Sequence, residues 1–285
     1  MTHSWSLLEL SWLPLLFLAG CSGSQNKSPH VYTERLSDAH DQITQISVIN
    51  SLMLGQYDGA VPFETFLKAG NFGLGTLDRL DGELIVLDGK GYQARGDGSV
   101  VRVPRDNRIP FAVITPFETD GEFPCAAADS LHSLESILDG AIQHPNNFVA
   151  VRVEATLASI TIRSVQGQTK PYRPLSETVE SQSVWTHDNL DGTFVGIRSP
   201  AWVAGLTVPG YHWHFLSADK SIGGHVLACD IRAGIVRYDI CGEWTILLEQ
   251  SEEFNRTAVG NDLREEVRKV ESLREENNSR AIEVL

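Results

Sequence analysis

Residues 210–225 read GYHWHFLSADKSIGGH, and their spacing decides how the surrounding chain is read. The chain has nine histidines, and three of them fall in this one stretch. In an extended strand, side chains at i and i+2 share a face, so His212 and His214 project together while Trp213 and Phe215 point the other way. The polar run SADKSIGG then reads as a turn, and His225 opens a new apolar run, HVLAC. If the two runs pair as an antiparallel hairpin, His225 returns beside the first two. Three imidazoles converging from two strands are the usual protein part of a catalytic Zn²⁺ site with a position left open. An H-x-H pair alone is a weak signal, because a strand histidine is most often packed or solvent-facing. The third histidine after Gly223-Gly224 is what strengthens it.

Outward from this stretch the same pattern of short β-like runs recurs from about Ile43, punctuated by Gly, Asp, Asn and Pro. ISVIN, ELIVLDGKGYQAR (a hairpin about Asp88-Gly89), VVRVP, FAVIT and FVAVRVEATLASITIRSV read as strands. So do TFVGIR, HWHF, HVLACDI, GIVRYDI and WTILLE. Helices are fewer. VPFETFLKAG and SLHSLESILDGAIQ are two, and NDLREEVRKVESLREEN places Leu263, Val267, Val270 and Leu273 on one helical face with Asn261 as a cap. The expected class is α+β, rich in mixed and antiparallel sheet. Gly70, Gly73 and Gly75 in GNFGLGT lack the spacing of a nucleotide loop and read as turn glycines.

The 285 residues suffice for one large domain or two small ones, and 42% hydrophobic with 21% charged residues is ordinary for a globular protein. A net charge of −14 argues against nucleic acid or an anionic membrane surface as partner. An anionic small substrate stays open, since local charge in a site can oppose the net charge. At the N-terminus LSWLPLLFLAGC has signal-peptide length and is too short to span a bilayer. Its end, Leu18-Ala19-Gly20-Cys21, resembles the lipobox of bacterial lipoproteins, although Glu9 interrupts the leader and no Lys or Arg precedes it. The expectation is a signal peptide over 1–20, lipid on Cys21, a polar tether over 21–41, and export to the periplasm or cell surface on a lipid anchor. Cys229 and Cys241 flank DIRAGIVRYDI, which reads as a hairpin that would allow a disulfide if geometry permits.

Residues 192–231, GTFVGIRSPAWVAGLTVPGYHWHFLSADKSIGGHVLACDI, resemble bacterial acetolactate decarboxylase. That family carries G-T-x-x-G-[FI]-R-S-P leading into G-Y-H-x-H-F and then G-G-H-V-L. GNFGLGTLDRLDGELIVLDGKGYQ and RSVQGQTKPYRPL resemble two further blocks in the right order, and Val270-Glu271 resembles the closing V-E. The resemblance runs over 42–275, which makes that span the expected catalytic domain and leaves 276–285 as a polar tail. It implies a two-part β-rich fold, a homodimer, and Zn²⁺-dependent conversion of 2-acetolactate to acetoin and CO₂. His212, His214 and His225 would hold the metal, which the substrate chelates through its ketone and hydroxyl oxygens.

The residue set suits that chemistry. Loss of CO₂ leaves an electron pair that the neighbouring ketone must accept, and a Lewis acid there stabilises the charge as it develops. The enediolate must then be protonated, and the matched acids are Glu83 and Glu271. Glu83 starts an apolar strand, where burial would raise its pKa toward that of a neutral-pH donor. Glu271 lies on a charged helix, where a solvent-facing role is the plain alternative. Arg163 sits inside an apolar β-like run and wants an anion: either a protein carboxylate or the substrate's own carboxylate or oxyanion. Thr76 resembles a substrate-contacting threonine. Two rivals stand beside this reading. One is a cupin-type metalloenzyme, for which Asp219 would supply the acid but the second motif is missing. The other is an exported lipoprotein that binds a metal or small ligand without turnover.

Overall fold

The computed structural model describes residues 39–272, besides Met1. The leader with Cys21, most of the tether, and the tail from residue 273 onward lie outside the described residues. The strands, in chain order, are β1 (Gln42–Ile46), β2 (Val61–Pro62), β3 (Phe72–Thr76), β4 (Glu83–Leu87), β5 (Lys90–Ala94), β6 (Val100–Arg102) and β7 (Arg108–Ile109). They continue as β8 (Ala112–Thr115), β9 (Gly121–Cys125), β10 (Phe148–Ser164), β11 (Ser183–Ser199), β12 (Gly210–Ser217), β13 (Gly223–Cys241) and β14 (Glu243–Leu247). The helices are α1 (Ile49–Met53), α2 (Phe63–Phe66), α3 (Leu131–Ala141), α4 (Leu175–Thr178), α5 (Glu252–Arg256) and α6 (Arg264–Ser272). This is the sheet-rich α+β class read from the sequence.

One sheet has seven strands in the order β14-β1-β8-β3-β4-β5-β6, antiparallel throughout except for the parallel β1–β14 pair. The other has the order β10-β11-β12-β13-β9, and β10 also pairs with β13, so four of its strands close into a ring. Period-2 alternation sorts each strand's side chains between layers. In β4, Ile85 and Leu87 enter the core between the two sheets, together with Phe148 and Ala150 from β10. Leu84 and Val86 face the opposite way, into a cluster with Phe63 and Phe66 of α2. Glu83 has the parity of Ile85 and so points inward. Val149, Val151 and Val153 of β10 face a third cluster, completed by Leu131, Leu134 and Leu138 of α3. That helix is started by Ser130, whose hydroxyl accepts from Ser133 N at 3.1 Å.

Several local expectations are corrected. DIRAGIVRYDI is not a hairpin: it lies within the single 19-residue strand β13. Cys229 and Cys241 therefore sit twelve strand positions apart, roughly 40 Å at 3.3 Å per residue, too far to pair with each other, and both are buried. A β-branched run without a turn residue that breaks pairing continues as strand, and the ladder with β10 holds Gly234 opposite Ala155. Gly73 and Gly75 are strand residues of β3, not turn glycines. They let β8 approach closely: a Cβ on Gly73 would lie 2.2 Å from Val113 O, and one on Gly75 2.4 Å from Phe111 O. ISVIN is not a strand either, since β1 ends at Ile46 and α1 begins at Ile49. Asn261 precedes α6 without adjoining it, and its carbonyl accepts from Asn50 Nδ2 at 2.9 Å. No helix among the described residues is long and apolar enough to cross a membrane.

Asp239 on β13 is fully buried. Its Oδ2 accepts from Glu118 N at 3.3 Å, while Oδ1 has no hydrogen-bond partner. Burial, helped by the nearby charges of Asp120, Asp41 and Glu118, pushes its carboxyl up from 3.8 to about 7. The native state then holds a proton that the unfolded chain releases, so stability falls as pH rises through that window. Between pH 5 and 8 this amounts to on the order of 2 kcal/mol. Asp239→Asn keeps an acceptor for Glu118 N and removes the ionisation. It should raise Tm at pH 8 by about 5 °C more than it does at pH 5, read by thermal unfolding at both pH values. Equal shifts at the two would show that Asp239 does not titrate in this window.

Candidate active site

The hairpin expected from the sequence is formed. β12 and β13 pair antiparallel with His214 directly opposite His225, and the turn between them is ordered by Asp219. Its carboxylate accepts from Ser217 Oγ at 2.6 Å and Ser221 N at 3.1 Å, and these bonds hold its pKa down at about 2. Asp219 therefore organises the turn and supplies no acid to the histidines, which removes the cupin comparison. Trp213 and Phe215 point away from the histidines into the cluster under α3, where the Trp213 indole donates to Glu135 Oε1 at 3.1 Å.

Three ring nitrogens, one each from His212, His214 and His225, lie within 4.8 Å of one another. His212 Nε2 is 3.2 Å from His225 Nδ1. His214 is completely buried, and its Nδ1 lies 2.8 Å from Leu84 O. A carbonyl can only accept, so Nδ1 carries the proton and Nε2 presents a lone pair. That Nε2 is buried without a hydrogen-bond partner. Desolvation, reinforced by His212 and opposed by the Leu84 carbonyl, keeps the ring neutral well below the ordinary histidine pKa. A neutral ring fixed in one tautomer by its far nitrogen is how a metal-binding imidazole is oriented. A tetrahedral ion with bonds of roughly 2.0–2.1 Å would set ligand nitrogens about 3.3 Å apart, close to the 3.2 Å between His212 and His225. The donor set fits a metal ion.

The acids and the arginine expected from the sequence converge on the same place. Glu83, from the seven-stranded sheet, puts Oε2 3.4 Å from His214 Nε2 and Oε1 3.8 Å from Arg163 Nη1. Arg163 reaches it from β10, where it is paired across the sheet with His225, and its own Nε is buried without a hydrogen-bond partner. Glu271 of α6 places Oε2 3.6 Å from His225 Nε2. Burial pushes the Glu83 carboxyl up to about 7; the Arg163 charge opposes this and the Glu271 charge adds to it. These groups line one small chamber of about 40 Å³, whose apolar lining includes Leu80, Phe111 and Val270. Thr76 lines it too, but its hydroxyl donates to Gly82 O at 2.8 Å and its N–H to Phe111 O at 2.9 Å. Both donors are spent on the backbone, leaving Thr76 only acceptor lone pairs. His132 and His144 are exposed and His187 is half-buried on β11, all apart from the three-histidine cluster.

Sequence reasoning missed two contributors. The Leu84 carbonyl orients His214, and a backbone atom leaves no side-chain signal. Leu80 lines the chamber from a loop in which Arg79 and Leu80 both have positive φ, 60° and 57°. Two such residues in succession cost on the order of 1–3 kcal/mol each. The loop is held by Gln93 Nε2, which donates to Asp81 O and Oδ2, and by Gly82 N donating to Val165 O.

The model of the family described as alpha-acetolactate decarboxylase matches residues 43–261. The chain belongs to that family. The family's alpha-acetolactate decarboxylase from Methanosarcina mazei is 37% identical over 266 residues, covering 89% of this chain and 92% of that protein. The one from Bacillus subtilis strain 168 is 38% identical over 185 residues, 65% of this chain and 72% of that protein. The crystal structure of alpha-acetolactate decarboxylase from Bacillus subtilis strain 168 superposes with a TM-score of 0.78 at 32% identity, covering 81% of this chain and 99% of that one. The family model's match includes Glu83, Arg163 and the three histidines and ends at residue 261; Glu271 lies beyond it, on α6.

The donor set makes a direct prediction. Dialysed against a slight excess of Zn²⁺, the protein should retain one ion per chain, while His225→Ala should bind at least about tenfold more weakly, measured by metal analysis after dialysis. Full retention by His225→Ala would remove that ring from the ligand set.

Proposed function

We propose that this protein decarboxylates 2-acetolactate to acetoin and CO₂ at a Zn²⁺ held by His212, His214 and His225. The observation that carries the reading is the meeting of three imidazoles, one guanidinium and two carboxyls around one small chamber in a chain of this family. The bond between the carboxylate and its neighbouring carbon breaks, its electron pair passes into the adjacent ketone, and one proton must be returned to the carbon. The bound ion would supply Lewis acidity to the ketone and hydroxyl oxygens.

The chain's own groups account for the remainder. Burial raises the Glu83 carboxyl to about 7, so it can both hold and release a proton near neutrality, which suits it to deliver one. Arg163, whose guanidinium faces Glu83 at 3.8 Å, can turn its buried donors to the substrate's carboxylate. Tight binding of that carboxylate would stabilise the ground state and oppose CO₂ loss, so Arg163 orients more than it accelerates. Glu271, whose carboxylate lies against His225 as that of Glu83 lies against His214, is the second acid and the better placed to meet a group entering from α6. The apolar lining, with Leu80, Phe111 and Val270, leaves little room for water, which strengthens each of these interactions.

The deciding experiment is release of acetoin and CO₂ from racemic 2-acetolactate by the full chain. Turnover should vanish with a chelator and return with Zn²⁺; absence of turnover in protein carrying one ion per chain would overturn the reaction and leave a metal-binding protein. Glu271→Gln should retain metal while kcat falls by about 100-fold or more, and an unchanged kcat would take Glu271 out of the mechanism. Export on a lipid anchor at Cys21, and a homodimeric assembly, belong to the same proposal. Cells fed labelled palmitate should label the protein and not its Cys21→Ser variant.

A further inference from the structure

A second cavity, of about 460 Å³, abuts the chamber and is lined by α6, by Glu135 of α3 and by the segment from Ala201 to Tyr211. Its volume is that of a small-molecule site, roughly 300–1,000 Å³, whereas the chamber's 40 Å³ is room for a few waters only. Glu271, at the end of α6, is the residue the two share; Tyr211 stacks on Trp213 on the face of β12 away from the histidines and lines the outer cavity only. On that helix Arg264, Arg268 and Glu271 fall at i, i+4 and i+7, one stripe down one face. At 1.5 Å per residue Arg268 stands about 4.5 Å and Arg264 about 10.5 Å outward from Glu271 along the axis. Val267 and Val270, on the neighbouring face, are the buried residues that seat α6 on the core.

Both arginines are exposed and engaged in surface ion pairs, Arg264 with Asp262 and Arg268 with Glu265. Such pairs contribute about 0–1 kcal/mol, so either guanidinium can exchange its partner for a passing carboxylate at little cost. Glu135, Glu265 and Glu271 also line the cavity, so the arginines do not make it positive overall. They offer two stepping points to an anion approaching a chain of net charge −14. We propose that this cavity is the vestibule through which a small hydroxy-keto carboxylate reaches the histidine cluster, with Arg268 and Arg264 as the docking points for its carboxylate. This rests on the function proposed above.

The test compares Arg268→Glu with Lys269→Glu, which makes the same charge change on the same helix outside the cavity lining. For Arg268→Glu, kcat/KM toward 2-acetolactate should fall about tenfold at low salt with kcat within about twofold, and the loss should shrink in 0.5 M salt. Lys269→Glu should lose less than about threefold. Ala204→Trp, which fills the cavity, should cut kcat/KM by about tenfold while metal content stays at one per chain. Equal losses in the two charge variants, or an unaffected Ala204→Trp, would overturn the vestibule. If the unaltered protein turns over no 2-acetolactate, the proposed reaction has failed, and calorimetric binding of 2-hydroxyisobutyrate to the Zn²⁺-loaded protein then decides the vestibule alone. Weaker binding by Arg268→Glu but not Lys269→Glu supports it, and equal binding overturns it.

Discussion

The pairing of His214 with His225 across β12 and β13 is the constraint on which the site depends. Once those two residues are opposite one another, period-2 alternation brings His212 to the same face and sends Trp213 and Phe215 to the other. The indole and phenyl rings are then free to fill the layer under α3, and the imidazoles to face the seven-stranded sheet. The same ladder fixes Arg163, because β10 pairs with β13 so that Arg163 lies opposite His225. Two hydrogen-bonded registers thus place four of the six polar groups, and no loop is involved in their alignment.

The remaining two come from elsewhere, and their electrostatics follow from that. Glu83 is brought against the histidines by the packing of one sheet on the other. It has too little solvent to stabilise a full charge and only a distant guanidinium to replace it. His214 is subject to the same desolvation with the opposite outcome, since losing a proton is what neutralises it. One dry chamber therefore favours a protonated carboxyl and an unprotonated imidazole side by side, a proton donor next to an electron-pair donor.

How much of this could be read from the sequence depends on range. The i, i+2 histidines, a turn after Ser217 and the inward parity of Glu83 are local, and alternation exposes them directly, although Gly223 and Gly224 belong to β13 and not to the turn. The hairpin supposed between Cys229 and Cys241 failed because a continuous 19-residue strand and two short ones share the same residue preferences. Only the long partner β10 distinguishes them. The strand glycines of β3 failed similarly: their reason is the close approach of β8, a neighbour 40 residues away in the chain. The Thr76 hydroxyl is an acceptor-only group in the fold because a backbone carbonyl six residues on takes its proton. Glu271 is the converse case: only its resemblance to the closing V-E marked it in the sequence, and α6 delivers it to the site through two buried valines.

Glu83 and Leu84 are adjacent, yet they serve the site by different atoms, one through its carboxyl and the other through its carbonyl. Both depend on the same β4 register. A one-residue insertion in this strand would exchange the faces of all its side chains, turning the acid into the α2 cluster and withdrawing the carbonyl that fixes the His214 tautomer. The connection over 200–209 supplies neither atom; it walls the outer cavity and seats Val203 and Val208 in the core. Among relatives that keep the chemistry, then, β4 should stay invariant in length.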